Sequence, residues 1–474
     1  MMRSLHGRQS GGHSTRDIAA LITAVVLLGV CVTALAVVWM MPWQGAADEP
    51  LTSAAVVTTA AAAPEGKVTS APSEQQVATV QQTETVQLGI DVLLTDEGWR
   101  ARLRGKRVGL VTNQAAVDAH LQATADRLAS ALPGLGGGKL VALFAPEHGL
   151  RGDRPAGQTV PDEIDPVTGV KVYSLYGSNR APTPAQLQGL DLLIIDLPDI
   201  GWRHYTYIST MAYVLQAAAS ARLPVLVLDR PNPIGGEIIE GPVAEPDFLS
   251  FVGIYPIPLR HGMTIGELAL YFNREFKLGA QLEVVPMKGW RRWMLWADTG
   301  LPWVSPSPQI PTPEAALLFG LGGVLGETLN LSDGVGTAKP FSYIGAEWID
   351  PFRLAAAANA AANATGLYFR PTYIVPFGYK FAGKRLGAVE IHLVNPRLAR
   401  PAAAGIELLV LLHKLWPGKV QFPTGQRNMF DLIVGTASVR KQVVAGSSAA
   451  EILAGFQAEL ERFATRRKAY LLYN

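Results

Sequence analysis

One cysteine, Cys31, occurs in 474 residues. That excludes a disulfide framework and any zinc or iron–sulfur site built on thiolates. Charge is also scarce: Asp, Glu, Lys and Arg make up 17% of the chain, where soluble domains average about 25%. Neither sign dominates, with 41 Lys+Arg against 39 Asp+Glu, so the basic footprint of a nucleic-acid binder is missing. Hydrophobic residues reach 49%, which excludes an acidic disordered chain and leaves ample material for a core. Several chemical signatures are absent too. No Gly-x-Gly-x-x-Gly follows the first apolar run, and there is no Gly-Lys-Ser/Thr, Gly-x-Ser-x-Gly or His-x-x-x-His. These absences argue against a dinucleotide enzyme, a phosphate-loop enzyme, an α/β-hydrolase and a zinc hydrolase. No cofactor and no metal are expected.

What is present begins with an uncharged run from Ile18 to Met41. In helical geometry it is long enough to cross the ~30 Å hydrocarbon layer. Arg3, Arg8 and Arg16 precede it, and Asp48 and Glu49 follow. The positive-inside rule then puts residues 1–17 in the cytoplasm, 18–41 across the bilayer and the rest on the far side. A cleavable signal peptide is the rival, although its apolar core usually runs only about 7–15 residues. Cys31 reads as a small apolar residue facing lipid. Residues 42–86, rich in Ala, Thr, Val, Ser, Gln and Pro without periodicity, read as a flexible linker.

The folded body is expected from Gln87 onward. Apolar runs at Lys106–Asn113, Leu140–Phe144, Asp191–Asp196 and Pro224–Asp229 alternate with helical stretches near 120–132 and 205–222. That alternation predicts a Rossmann-like α/β domain with a parallel sheet covered on both faces. Thr264-Ile-Gly-Glu267 has capping-box spacing and opens a helix, and a strand follows at 281–287. The Pro-rich stretch Leu301–Pro313 can continue neither element, so it marks a boundary between residues 87–312 and a smaller mixed α/β domain, 313–474. There, Asp350-Pro351 opens a helix, strands are expected at 368–375 and 386–394, and helices at 402–416 and from the Ser448–Glu451 capping box onward.

Open parallel sheets bind ligands beyond the carboxyl ends of their strands. Those ends carry Asn113; Glu147-His148 with Arg151; Asp196, Asp199, Arg203 and Tyr205; and Asp229-Arg230 with Asn232. Together they predict a polar cleft. Glu147, between Pro146 and a glycine turn, suits general acid–base work, and equally a Glu–Arg pair that pins the loop. Asp196 and Asp199 read as metal ligands, as acceptors for a substrate hydroxyl, or as helix caps. Arg203 reads as a fork for a substrate carboxylate or as the partner of Asp199. Asp229-Arg230 carries the same ambiguity. The loop Glu327–Thr337, with Asn330 and Asp333, either faces this rim or is an ordinary turn. Trp290, Trp293, Trp296 and Trp303 read as sugar-stacking surfaces or, better, as interface packing.

The order of motifs resembles one family. GIDVLL (Gly89–Leu94), KRVGLVTN, FAPEHGLRGD (Phe144–Asp153), VYSLYG (Val172–Gly177), HYTYISTMAY (His204–Tyr213), LDRPNPIGG, IEGPV, YPIPLRHGMTIGEL (Tyr255–Leu268), MKGW, DTGLPWVSPSPQIPT and the loop from Glu327 are similar to the exo-β-N-acetylmuramidase family. The match runs from about residue 88 to the C-terminus. It implies a glycosidase that removes N-acetylmuramic acid from the non-reducing end of peptidoglycan fragments, with a Rossmann-like domain and a C-terminal α/β domain around one cleft. It places the family's catalytic carboxyl on Glu147. His148, Arg151, Arg203, Tyr205 and Glu327 fall near the sugar, and Arg260, His261 and Asn330 lie in matching stretches. Glycoside cleavage usually pairs two carboxylates; Glu327 is the first choice for the partner, Asp199 the second, and substrate assistance by the acetamido group would remove the need for one. The lactyl carboxylate of muramic acid gives Arg203 or Arg151 a reason to be present. The implied partners are muropeptides or disaccharides, and the membrane through the N-terminal helix, with the body in the periplasm of a bacterium.

This chain departs from the family pattern at Pro198 (usually Gln), at Gln309 (usually Asn) and at Asp333-Gly-Val-Gly-Thr337 (usually Glu-Gly-Arg-Gly-Thr). Those changes bear on specificity. Two other classes compete: a non-catalytic muropeptide-binding module, and a metal-dependent hydrolase using Asp196, Asp199 and His204.

Overall fold

The structure, a computed structural model, describes residues 85–154, 162–361, 365–425 and 427–474. The expected cytoplasmic segment, membrane span and almost all of the linker lie outside the described residues. Among the described residues no helix is long and apolar enough to cross a membrane. The body starts slightly earlier than expected: Val86, assigned to the linker, is buried, and its N–H donates to Thr299 O.

The first half is built on strands β1 (Arg107–Thr112), β2 (Lys139–Ala145), β3 (Glu163–Ile164), β4 (Lys171–Ser174), β5 (Leu192–Asp196) and β6 (Val225–Leu228). A separate antiparallel pair, β7 (Glu240–Val243) and β8 (Pro258–Arg260), precedes β9 (Leu282–Val285). The main sheet has the order β3-β4-β2-β1-β5-β6-β9. Its pairs are parallel except β3–β4. Without the edge strand β3, the parallel strands follow the doubly wound order 3-2-1-4-5-6; the apolar runs predict the parallel sheet but not this order. The order reverses between β1 and β5, where Thr112 pairs with Asp196. Strand β5 is buried at every position, the signature of a sheet covered on both faces.

β4 was not expected. Its four residues, Lys-Val-Tyr-Ser, include only one fully buried side chain, so no apolar run announces it. The helix at Tyr207–Ala221 and the capping box of Thr264 and Glu267 form as expected.

The second half opens with the helix Pro313–Leu325, which the sequence reading also lacked. Gly320, Gly322 and Gly323 argue against a helix by propensity, yet here they permit close packing. A Cβ at Gly320 would stand 2.1 Å from the Trp202 ring, and one at Gly322 would stand 2.7 Å from the Phe341 backbone. Strands β10 (Tyr343–Ala346), β11 (Leu367–Ile374) and β12 (Leu386–Leu393) form an antiparallel sheet of order β10-β12-β11. Asp350 caps the helix Pro351–Asn359 through Phe352 N and Arg353 N. The Ser448 box opens only the short helix Ala449–Ala454, and a second helix, Gln457–Arg467, follows.

The Pro-rich stretch does more than separate the halves. It lies over the end of the parallel sheet, where Ser305 O and Pro306 O accept from Gln114 Nε2, and Pro306 O also from Asn113 Nδ2. One hydrophobic core includes Trp202 and Ile208 from the first half and Leu321 and Leu412 from the second.

Candidate active site

The reversal of strand order leaves a crevice above β1 and β5, and Asn113 stands at its base. Its amide donates to the Tyr207 hydroxyl at 3.0 Å and to Pro306 O at 3.3 Å. That hydroxyl lies 2.8 Å from Pro306 O and 3.1 Å from Glu147 O, so one phenol ties strap, loop and strand end together.

Glu147 leaves the end of β2, half-buried. Thr206 Oγ1 donates to its Oε2 at 3.0 Å. Tyr176, just beyond β4, donates to the same carboxylate, and burial followed by the Glu147 charge pushes the phenol up to about 12. The next residue, His148, takes a left-handed backbone (φ 77°), a conformation uncommon outside glycine and strained enough to need support. Its Nδ1 sits 3.0 Å from Arg154 O. A carbonyl only accepts, so Nδ1 carries the proton and the ring is anchored to its own loop.

Asp199 follows β5. Its Oδ2 accepts from Gly201 N at 2.8 Å and stands 3.1 Å from His261 Nε2. Its Oδ1 is buried without a partner among the described residues, an acceptor left unspent at the crevice. Tyr205 joins the halves. Its ring lies 4.7 Å from that of Tyr207 and meets Phe319, on helix Pro313–Leu325, edge-on at 6.3 Å. Burial pushes its phenol well up, with Tyr207, Asp199 and Glu147 adding to the effect.

The same helix ends just before Glu327. Burial, then the nearby Asp333, push the Glu327 carboxyl up to about 7, while Lys380 opposes the shift. Burial likewise pushes Asp333 up to about 6. Lys380 donates to Thr328 O, and burial pulls its ammonium down. Two acids near neutrality beside one lysine make a group able to hold a proton at pH 7.

Other expected residues are engaged elsewhere, and for the buried ones the reason is the same: a buried polar or charged group needs a partner, and the fold supplies one. Arg203, expected to grip a substrate carboxylate, is fully buried and donates to Pro242 O, Ile257 O and Ile433 O at 2.7–2.9 Å. Arg151 forks onto Asp165 and Asp126. Asp196 is clamped by Arg230 and by Thr124 Oγ1 and does not cap the next helix. Asp229 accepts from Thr264 Oγ1, Gly266 N and the Tyr473 hydroxyl, and burial pushes it up to about 7. Asn232 spans Met263 O and Ile234 N. Arg260 pairs with Glu240 and donates to Ile234 O. His261 Nδ1 accepts from Met263 N. Asn330 holds the segment after the helix Pro401–Leu415 at Lys419 O and Gln421 N.

His204 stacks on Phe319 at 4.3 Å, and burial pulls it down to about 3. Thus Asp196, Asp199 and His204 each have a separate neighbour. Among the described residues no three His, Cys, Asp or Glu are grouped to hold a metal ion. The tryptophans divide. Trp290 packs on Tyr473 and Trp293 lies under Arg397. Trp296 and Trp303 meet edge-on at 5.0 Å and line a pocket with Asp199 and Arg230, of which Glu147 is not a lining residue.

Comparison with known proteins settles the family. The profile for exo-β-N-acetylmuramidase NamZ, N-terminal, matches residues 108–314, and the profile for its C-terminal part matches 320–473. The chain belongs to the NamZ family. It is 42% identical over 418 residues to the peptidoglycan β-N-acetylmuramidase NamZ of Bacillus subtilis (strain 168), covering 88% of this chain and 96% of that protein. Two crystal structures of DUF1343 family proteins from Bacteroides fragilis NCTC 9343 are similar, with TM-scores of 0.74 and 0.64 at 38% and 31% identity. Each covers 82% of this chain and 99% of its own.

Within this NamZ family member two of the three departures have local explanations, and nothing in the structure explains Pro198. Gln309 Nε2 donates to the Tyr379 hydroxyl at 2.6 Å, tying the strap to the β11–β12 loop. Val335 packs against the core while its N–H donates to Asp333 Oδ1. Tyr176, Thr206 and Tyr207 are site residues that sequence reasoning missed, Tyr176 for a clear reason. Its motif, VYSLYG, was visible, but the strand that presents it was not.

Proposed function

We propose that this chain is an exo-acting β-N-acetylmuramidase, a glycoside hydrolase that cuts terminal N-acetylmuramic acid from peptidoglycan fragments during cell-wall turnover. The observation that carries the reading is the Glu147 carboxylate, held by the Tyr176 and Thr206 hydroxyls at the sheet rim of a chain matched by both NamZ profiles. Glu147 faces the anomeric carbon, where positive charge develops as the glycosidic bond breaks. Glu327, near neutrality, delivers the proton to the leaving oxygen; its raised pKa suits that task at pH 7. Asp199 Oδ1 accepts from a sugar hydroxyl or the acetamido N–H. Asn113 and Tyr205 hold strap and floor in place. Residues 87–312 supply the rim, and 313–474 complete the cleft.

The experiment is release of free N-acetylmuramic acid from a MurNAc–GlcNAc disaccharide by the full chain. Glu147→Gln should abolish it. Wild-type protein without release, or Glu147→Gln with full release, would overturn the assignment.

We also propose that residues 18–41 anchor the enzyme in the inner membrane of a bacterium, with its body in the periplasm. The uncharged run behind three arginines supports this orientation. Fractionation and protease access in spheroplasts test it: a soluble or protease-shielded body would refute the topology.

A further inference from the structure

Muramic acid differs from its glucosamine counterpart by one lactyl carboxylate, so an enzyme selective for it needs a cation placed for that group. The arginines that sequence reasoning offered are spent: Arg203 on three carbonyls and Arg151 on two aspartates. Arg230 and Arg260 are sealed in buried ion pairs, and Arg154 faces Asp153 and Glu163.

Arg180 is different. It sits on the loop after β4, four positions beyond Tyr176, and is exposed. Its guanidinium lies over the Phe251 ring, 4.2 Å from the centroid. Phe251 in turn lies 6.1 Å from Tyr176 and 6.3 Å from Tyr213, stacked on the latter. The Arg180 charge acts on the Tyr176 phenol, the same phenol that donates to Glu147. Among the described residues no carboxylate pairs with Arg180. A cation–π contact leaves the N–H donors of a guanidinium free to meet an anion. A guanidinium whose charge reaches the phenol that holds Glu147 has the planar donor set that a bidentate carboxylate contact needs.

We propose that Arg180 is the specificity-determining residue that binds the lactyl carboxylate of the terminal muramic acid, with Phe251 as its platform; this rests on the muramidase reading above. A sugar lacking that carboxylate leaves the fork unpaired. The binding is made before and during bond cleavage, so its loss raises KM more than it lowers kcat.

The test uses the full chain and two substrates: a MurNAc–GlcNAc disaccharide and the same disaccharide with the lactyl group as its methyl ester. Wild type should prefer the free acid by about 10- to 100-fold in kcat/KM. Arg180→Ala should cleave both at the rate wild type shows on the ester, with an unchanged melting temperature. Arg180→Lys should restore part of the preference, since it keeps the charge and loses the fork. Arg180→Ala retaining the wild-type preference, or losing activity equally on both substrates, would overturn the assignment. Wild type inactive on both would instead remove the muramidase reading and this assignment with it.

Discussion

Tyr176 and Glu147 stand just past the ends of two adjacent parallel strands, β4 and β2, and the phenol donates to the carboxylate across that gap. Register explains the meeting. Ala145 pairs with Ser174, so each acting residue lies two positions beyond a paired one. Tyr176→Phe keeps the ring and its packing near Phe251 while removing the hydrogen bond. A bond to a charged group is worth about 1.5–3 kcal/mol, which predicts a fall of about 10- to 100-fold in kcat with KM little changed. Steady-state kinetics on the disaccharide check this, and wild-type kcat in the variant would remove Tyr176 from the machinery.

How much of this was legible in the sequence follows from what each feature depends on. Strands β1, β2, β5 and β6 announce themselves because each is an apolar run buried on both faces, and their ends led directly to Asn113, Glu147 and Asp199. β4 has one fully buried side chain, so it and Tyr176 stayed hidden. The arginines misled for another reason. Arg203 in sequence looks like any rim cation, and its acceptors come from Pro242, Ile257 and Ile433, up to 230 positions away. Local spacing cannot show such partners. The helix Pro313–Leu325 was hidden by its glycines, whose purpose appears only when Trp202 and Phe341 arrive from elsewhere.

Arg203 should therefore behave as a structural residue. Arg203→Met strands three buried carbonyls, each costing about 1–3 kcal/mol, and should lower the unfolding free energy by at least about 3 kcal/mol. Denaturant unfolding measures it. A variant with wild-type stability and a raised KM would return Arg203 to the substrate.

Gly320→Ala tests how closely the two halves pack. The added methyl meets the Trp202 ring at 2.1 Å, and Trp202 cannot simply turn away because its indole N–H donates to Ala316 O at 2.7 Å. Overpacking of this kind costs about 1–3 kcal/mol, although alanine is the better helix former by about 1 kcal/mol. Sterics win by that comparison, so the melting temperature should fall. A rise would mean that the contact yields easily and that the glycine serves no packing purpose.

Glu327 links pH to both stability and turnover. Burial, with Asp333 adding, lifts its carboxyl from 4.5 to about 7. A carboxyl with a raised folded pKa binds its proton more tightly in the folded state, so its contribution is fully present below about 4.5 and is lost as pH rises through about 7. Glu327→Gln stays neutral throughout. Relative to wild type, the variant should therefore gain stability between pH 5 and pH 8, by up to about 3 kcal/mol. Turnover should move the other way. Wild-type kcat should decline above pH of about 7 as the proton is lost, while Glu327→Gln should lose most activity at every pH and show no such decline. Unfolding curves at the two pH values and a kcat–pH profile separate the claims. A stability difference that ignores pH would refute the buried, raised carboxyl, and an unchanged kcat would move the proton-donating role away from Glu327.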